Sequence, residues 1–219
     1  MIDHLRFDRT VWTKKAMAFV TRSHRHLWGK NNEDPQAFLF TRGFSHQFAK
    51  THLFGWNKFG QERPLQNWGN KTDSRETQKL FLPPGIVIPF IVEKKLQSIF
   101  IHPYDENKKS STTLVPGSWH PTMVLGGKKQ RIAVIQNIFD GLFLFQEMKD
   151  SCCVMIHPDP DIPLARPLAS MVNSADSVFI FSSGKKELAT NKTVFPDLPN
   201  PCFYLYQSKE EAKEIYLTH

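Results

Sequence analysis

This chain is poor in cysteine. Of its 219 residues only Cys152, Cys153 and Cys202 are cysteines, and none precedes position 152. Two adjacent thiols and one distant one do not make a disulfide framework, and no CxxC pair offers zinc-ligand spacing. A reducing, cytoplasmic setting is the simplest expectation. No run approaches the ~18 consecutive apolar residues of a membrane-spanning helix. The opening "MIDHLRFDRT" carries acids and no apolar h-region, so no secretory leader is expected. Acidic residues are scarce in the first third. Residues 1–80 hold 14 Lys/Arg against 7 Asp/Glu, whereas residues 81–219 hold 14 of each, so the whole net charge of +7 lies in residues 1–80.

What is present is a packed globular composition, with 18 Phe and 5 Trp. Four of the five Trp and five of the nine His lie in residues 1–80, beside the surplus cations. Cations that meet phosphates, interleaved with rings that stack on bases, suit nucleic acid. A solvated basic face over an aromatic core is the alternative reading.

Periodicity divides the chain into three segments. In the first, "TVWTKKAMAFVTRSHRHLWG" places Trp12, Ala16, Phe19, Val20 and Leu27 at helical spacing, with Thr10 as expected N-cap and Gly29 as expected stop. Lys15, Arg22 and Arg25 are expected to form a basic stripe on another face. Short helices are expected at Pro35–Thr41 and Ser45–Thr51, and "GWNKFGQERPLQNWGNKTDS" is expected to be loop-rich. The second segment, residues 79–127, reads as an antiparallel meander through "GIVIPFIV", "LQSIFIHPY" and "STTLVPGS". The third alternates. "RIAVIQ", "CCVMIHP", "SVFIFSS" and "PCFYLYQ" read as strands. "IFDGLFLFQEMKD", "DIPLARPLASMVNSA", "SGKKELATNKTVF" and "SKEEAKEIYLTH" read as helical, the last capped by Ser208. Such alternation predicts a mostly parallel sheet flanked by helices. The fold class expected is α/β, an α+β basic part over 1–127 followed by this sheet over 128–219.

Ligands of such sheets gather at the carboxyl ends of strands. Those ends carry Gln136 and Asn137 with Asp140 one turn later, then His157 and Asp159, then Ser182, Ser183 and Gly184. Amides and hydroxyls are neutral, and a magnesium site for phosphoryl transfer needs neighbouring carboxylates. "HPDPD" (His157–Asp161) has metal-ligand residue types, but its prolines already account for it as a rigid turn. "SSGKKE" (Ser182–Glu187) has the look of an anion-binding strand-to-helix turn without the phosphate-loop pattern GxxxxGK[ST]. Cys152 and Cys153 read as buried thiols.

Four stretches together resemble bacterial DnaG-type primases. "RGFSHQFAKTHLFGWN" (Arg42–Asn57) resembles the family's RG-L-S opening and LGW-N-like end. "LPPGIVIPFI" (Leu82–Ile91) is similar to the following G-x-x-IP core, and "VPGSWHPTMVLG" (Val115–Gly126) to the GS…LG link before the toprim module. "RIAVIQNIFDGLFLFQE" resembles the first toprim strand and helix, usually VxVVE-x-x-x-D-A-L. The order and spacing hold over residues 36–185. The resemblance implies a basic primase-like subdomain over 1–127 and a toprim-like domain over 128–219, nearest to compact primases of mobile elements. The departures fall on the chemistry. The family's metal-linked glutamate falls on Gln136, the helix acid is kept as Asp140, and the D-x-D pair falls on Ser182 and Gly184. The family's cysteine-rich zinc module and its helicase-side extension are not expected.

The resulting expectation is a non-catalytic, cytoplasmic protein of a bacterial plasmid, phage or similar element, binding single-stranded DNA or RNA in replication or its control. No cofactor and no metal are expected. The expected contacts are Lys14, Lys15, Arg22, Arg25, Arg42, Lys50 and Lys58, with Trp56 and Trp68 as stacking platforms or core residues. Two other readings stay open. One is a protein-interaction pseudoenzyme docking on a replication or host protein. The other is an active primase or nuclease with relocated ligands, Asp140, His157, Asp159 and Asp161, whose convergence would favour it.

Overall fold

The structure is a computed structural model that describes residues 7–71, 78–103, 112–127, 130–148, 152–159, 162, 164–183 and 201–218. The chain forms two compact units, Met1–His120 and Pro121–His219. The division falls seven residues before the expected boundary, because the strand at Met123–Leu125 pairs with Cys153–Ile156 of the second unit.

The first unit opens with helix α1 (Arg9–Leu27). Its N-cap is Asp8, not Thr10: the Asp8 carboxylate accepts from the backbone N–H of Thr10 and Val11 at 3.0 and 3.2 Å. A carboxylate satisfies orphan donors at the positive end of the helix dipole, which a threonine two residues later could not. Helices α2 (Glu33–Thr41) and α3 (His46–Thr51) follow, the latter capped by Ser45. The stretch expected to be loop-rich contains strand β1 (Gly55–Asn57), strand β2 (Gln61–Pro64) and a 3-10 turn at Leu65–Trp68. These strands are short and polar, so their sequence carries almost no alternation; pairing elsewhere creates them. β2 pairs antiparallel with β3 (Lys79–Leu82). β1 joins a four-stranded antiparallel sheet, ordered β1-β4-β5-β6, with β4 (Gly85–Val92), β5 (Lys95–His102) and β6 (Thr113–Leu114).

The apolar stripe of α1, Trp12, Ala16, Phe19 and Val20, packs onto Val87, Leu96, Ile99 and Ile101 of that sheet and onto Leu65, Trp68, Leu80 and Leu82. The approach is closest at Gly55. A Cβ there would lie 2.7 Å from the backbone of Ser23 and His24, so only glycine lets β1 run against α1.

The second unit is a five-stranded sheet, ordered β11-β10-β8-β9-β7. Its strands are β7 (Met123–Leu125), β8 (Arg131–Ile135), β9 (Cys153–Ile156), β10 (Ser177–Ser182) and β11 (Pro201–Leu205). β8 to β11 are mutually parallel and only β7 is antiparallel. The three central strands β8, β9 and β10 are buried on both faces, hence their unbroken apolar runs, whereas the edge strand β11 is partly exposed. Ile132, Val134, Cys153, Met155, Val178 and Ile180 line one face with Val172 of helix α5 (Arg166–Asn173). Helix α4 (Ile138–Met148) covers the other. The C-terminal helix α6 (Lys209–Thr218) starts at Ser208, whose hydroxyl accepts from the N–H of Glu211. The helix expected within residues 184–195 lies outside the described residues.

Candidate nucleic-acid interface and strand-end site

The chain leaves β8 for α4 and β9 on one side, then returns to place β10 on the other. β8 is therefore the topological switch point, where loops diverge and open α/β sheets bind ligands. Register puts Phe181 opposite Ile135, so Gln136 and Ser182 end adjacent strands at that point. The sheet thus brings together the two positions that the sequence singles out. Gln136 is half-buried and Ser182 fully buried. Asn137 caps α4, because its side-chain oxygen accepts from the N–H of Phe139 and Asp140, at 2.9 and 3.2 Å. Asp140 is held by the hydroxyl of Tyr206, which donates to its Oδ2 at 2.8 Å. Gly184 lies outside the described residues.

His157 follows the last residue of β9. It is buried, its N–H continues the β8–β9 ladder by donating to the Ile135 carbonyl, and its Nδ1 shares a proton with Thr122 Oγ1 at 2.8 Å. Burial pushes the imidazole pKa down, which keeps the ring neutral at neutral pH. Asp159 is exposed and Asp161 lies outside the described residues. Among the described residues no three His, Cys, Asp or Glu side chains converge as a metal shell would. Cys152 and Cys153 are buried, as expected, and burial pushes the Cys152 thiol up to about 11.

The basic residues divide into local groups on the first unit. Lys15 and Arg22, seven residues apart, share a face of α1 and line a hollow of about 260 Å³ with Ala18, Phe19, Arg63, Asn67 and Trp68. Arg25 does not join them. At ~100° per residue it stands about 60° from Arg22 and about 20° from Lys14 in projection. Lys14 borders a wider hollow of about 690 Å³ with Arg9, Lys95 and Trp119. The Arg42 guanidinium lies over Phe38, 3.6 Å from the ring centre. Lys50 lies over Trp28 at 5.2 Å, and Lys58 over Trp56 at 5.6 Å.

The tryptophans require a correction. Trp68 is 5% exposed and edge-on to Phe19, so it is a core residue and offers no face for stacking. Trp56 is half-buried. Trp119, absent from the expected set, is 51% exposed. It lies beneath the Arg9 guanidinium, 4.3 Å from its ring centre, and Arg9 is tied to the Gly117 carbonyl. Arg63 is also outside the expected set. Its signal in the sequence is the alternation in "QERP", which puts Gln61 and Arg63 on one side of a strand and Glu62 on the other.

No family model matches this sequence, and no curated protein matches it. Solved structures do match. The structure of a DnaG catalytic core superposes with a TM-score of 0.65 at 11% identity, covering 94% of this chain and 79% of that one. The fold is that of the DnaG primase catalytic core. A DnaG primase catalytic domain bound to single-stranded DNA matches at 0.63 and 11% identity, covering 96% of this chain and 78% of that one. The zinc-binding and RNA polymerase domains of the Aquifex aeolicus primase match at 0.63 and 14% identity, covering all of this chain and 63% of theirs. No described helix is long and apolar enough to cross a membrane.

Proposed function

We propose that this protein is a non-catalytic, primase-like, toprim-containing protein that binds single-stranded nucleic acid. It acts in replication or its control on a plasmid, phage or similar element. The observation that carries the reading is the cationic surface of the first unit, Lys14, Lys15, Arg22, Arg63 and Lys95 around two hollows, within a fold shared with a primase core captured on single-stranded DNA. Cations so placed neutralise phosphates and release counterions. The donor set at the switch point supports the non-catalytic part. Gln136 and Ser182 bring no negative charge to adjacent strand ends, and the Asp140 carboxylate is bonded to a phenol. Two neutral oxygens compensate a divalent ion poorly.

Fluorescence anisotropy with labelled single-stranded DNA tests this, at low and high salt, with and without Mg²⁺. Micromolar or tighter binding is expected, with log K falling by about 0.7 per phosphate contact for each decade of salt and no requirement for Mg²⁺. Absence of binding at low salt would overturn the reading. Docking on a replication or host protein is a second reading, and the exposed rings of Phe59 and Phe81, 69% and 55% accessible, favour it. Exchange of both for serine would then abolish partner capture and leave oligonucleotide affinity unchanged.

A further inference from the structure

Two arginines in the first unit point at one neutral oxygen. Arg22 of α1 donates through Nη2 to the side-chain oxygen of Gln61 at 3.1 Å, and Arg63 of β2 donates to the same oxygen at 2.8 Å. The donor atoms therefore lie within about 6 Å of one another, where like charges repel. Arg22 and Arg63 make no ion pair with a carboxylate among the described residues. Lys15, Asn67 and the rings of Phe19 and Trp68 complete the same hollow, of about 260 Å³.

The arrangement is built from the core outward. Asn57 is 1% exposed, and its amide nitrogen donates to the carbonyls of Leu82 and Pro83 at 3.1 and 2.6 Å. Two carbonyl acceptors fix which end of that amide is nitrogen. Its oxygen is then left to accept from Gln61 Nε2, at 2.7 Å. Gln61 in turn has only its oxygen to offer the arginines. Glu62, the nearest carboxylate in sequence, lies on the other side of β2 and pairs with Lys79 at 2.7 Å. The chain thus holds two guanidinium groups and an ammonium around one recess and keeps the adjacent acid out of it.

We propose that Lys15, Arg22 and Arg63 form a phosphate clamp, with Gln61 and Asn57 as its positioning residues. Guanidinium groups match phosphate oxygens with paired N–H donors, and a phosphate entering the recess would relieve the repulsion between them. The volume admits a phosphate and part of the sugar attached to it, against the ring edges of Phe19 and Trp68. The phosphate can belong to a nucleic-acid strand, which rests on the function proposed above, or to a free nucleotide or inorganic anion.

The test uses the full chain and two probes. These are inorganic pyrophosphate by titration calorimetry and a 5′-hydroxyl oligothymidylate by anisotropy. Arg63→Gln is expected to weaken pyrophosphate binding about tenfold or more, the loss of a charge-assisted bond. It should also reduce the salt slope of oligonucleotide binding by about 0.7, one phosphate contact. Gln61→Glu sets a carboxylate between the arginines. It is expected to abolish pyrophosphate binding, whereas Gln61→Met, which loses the same bond to Asn57 but adds no charge, is expected to weaken it less. Lys79→Gln removes an equal charge from the neighbouring strand and should change neither affinity by more than about twofold. Equal losses in Arg63→Gln and Lys79→Gln would overturn the clamp in favour of a diffuse basic face. No pyrophosphate binding by the unaltered chain at millimolar concentration would overturn it as well. Pyrophosphate binding that is lost in Arg63→Gln, with no oligonucleotide binding at any salt, would support the clamp for free phosphates and overturn only the nucleic-acid reading.

Discussion

The phenolic hydroxyl of Tyr206 donates to the carboxylate of Asp140 across 2.8 Å, joining the residue after β11 to the first turn of α4. Asp140 is therefore part of the scaffold at the carboxyl edge of the sheet. Tyr206→Phe is expected to lower stability by about 1 kcal/mol, the worth of one such bond, read from the urea midpoint. Asp140→Asn is expected to leave single-stranded DNA affinity within about twofold, since an amide oxygen can still accept from the phenol. A tenfold loss in Asp140→Asn would place this carboxylate in the binding chemistry.

Trp68 and Trp119 separate packing from recognition. Trp68→Ala empties a core position and is expected to cost about 3–5 kcal/mol of stability. Trp119→Ala removes a ring that is half in solvent beneath Arg9. It is expected to leave the denaturation midpoint nearly unchanged and weaken oligonucleotide binding by about 1–3 kcal/mol. Unchanged affinity would remove Trp119 from the interface.

His102 sets a pH dependence. Burial, with help from the Arg42 charge, pushes its pKa from 6.5 down to about 4. Between those values the unfolded chain binds a proton that the folded chain refuses. Stability is therefore level above about 6.5 for this group and falls as pH drops toward 4. In urea titrations across that window, His102→Gln is expected to lose stability less steeply than the unaltered chain. Part of the slope should persist, because buried His157 is shifted in the same direction.

Gly141 and Gly55 are expected to tolerate no side chain, for different reasons. In α4 a Cβ at Gly141 would lie 2.5 Å from Cγ1 of fully buried Ile156. Gly141→Ala gains about 1 kcal/mol of helix propensity against an overpacking cost of about 1–3 kcal/mol, so a net loss of stability is expected. At Gly55 the obstacle is backbone, which cannot rotate away, and Gly55→Ala should cost more. Thermal denaturation of both variants checks the order.

Much of the fold is legible in the sequence because its elements carry strong periods. The α1 stripe and the doubly buried runs "RIAVI" and "SVFIF" state their structure in their own pattern, and the parallel sheet follows from strand–helix alternation. The α1 N-cap is not legible, because Asp8 and Thr10 are both good caps and only the bonded geometry chooses. β1 and β2 look like loop because three or four polar residues hold no period; their strands exist through β4 and β3.

By itself the sequence determined the strongly periodic elements, the concentration of positive charge in residues 1–80 and the neutral side chains at Gln136 and Ser182. These depend only on residue type and on near neighbours along the chain. Tertiary structure decided that Trp68 is buried and Trp119 exposed, that Gln136 and Ser182 end adjacent strands, and that Arg22 meets Arg63 at Gln61. Burial and convergence depend on which distant segments pack together. Arg22 and Gln61 stand 39 positions apart in the chain. They meet because α1 packs over β1 and over the 3-10 turn that follows β2.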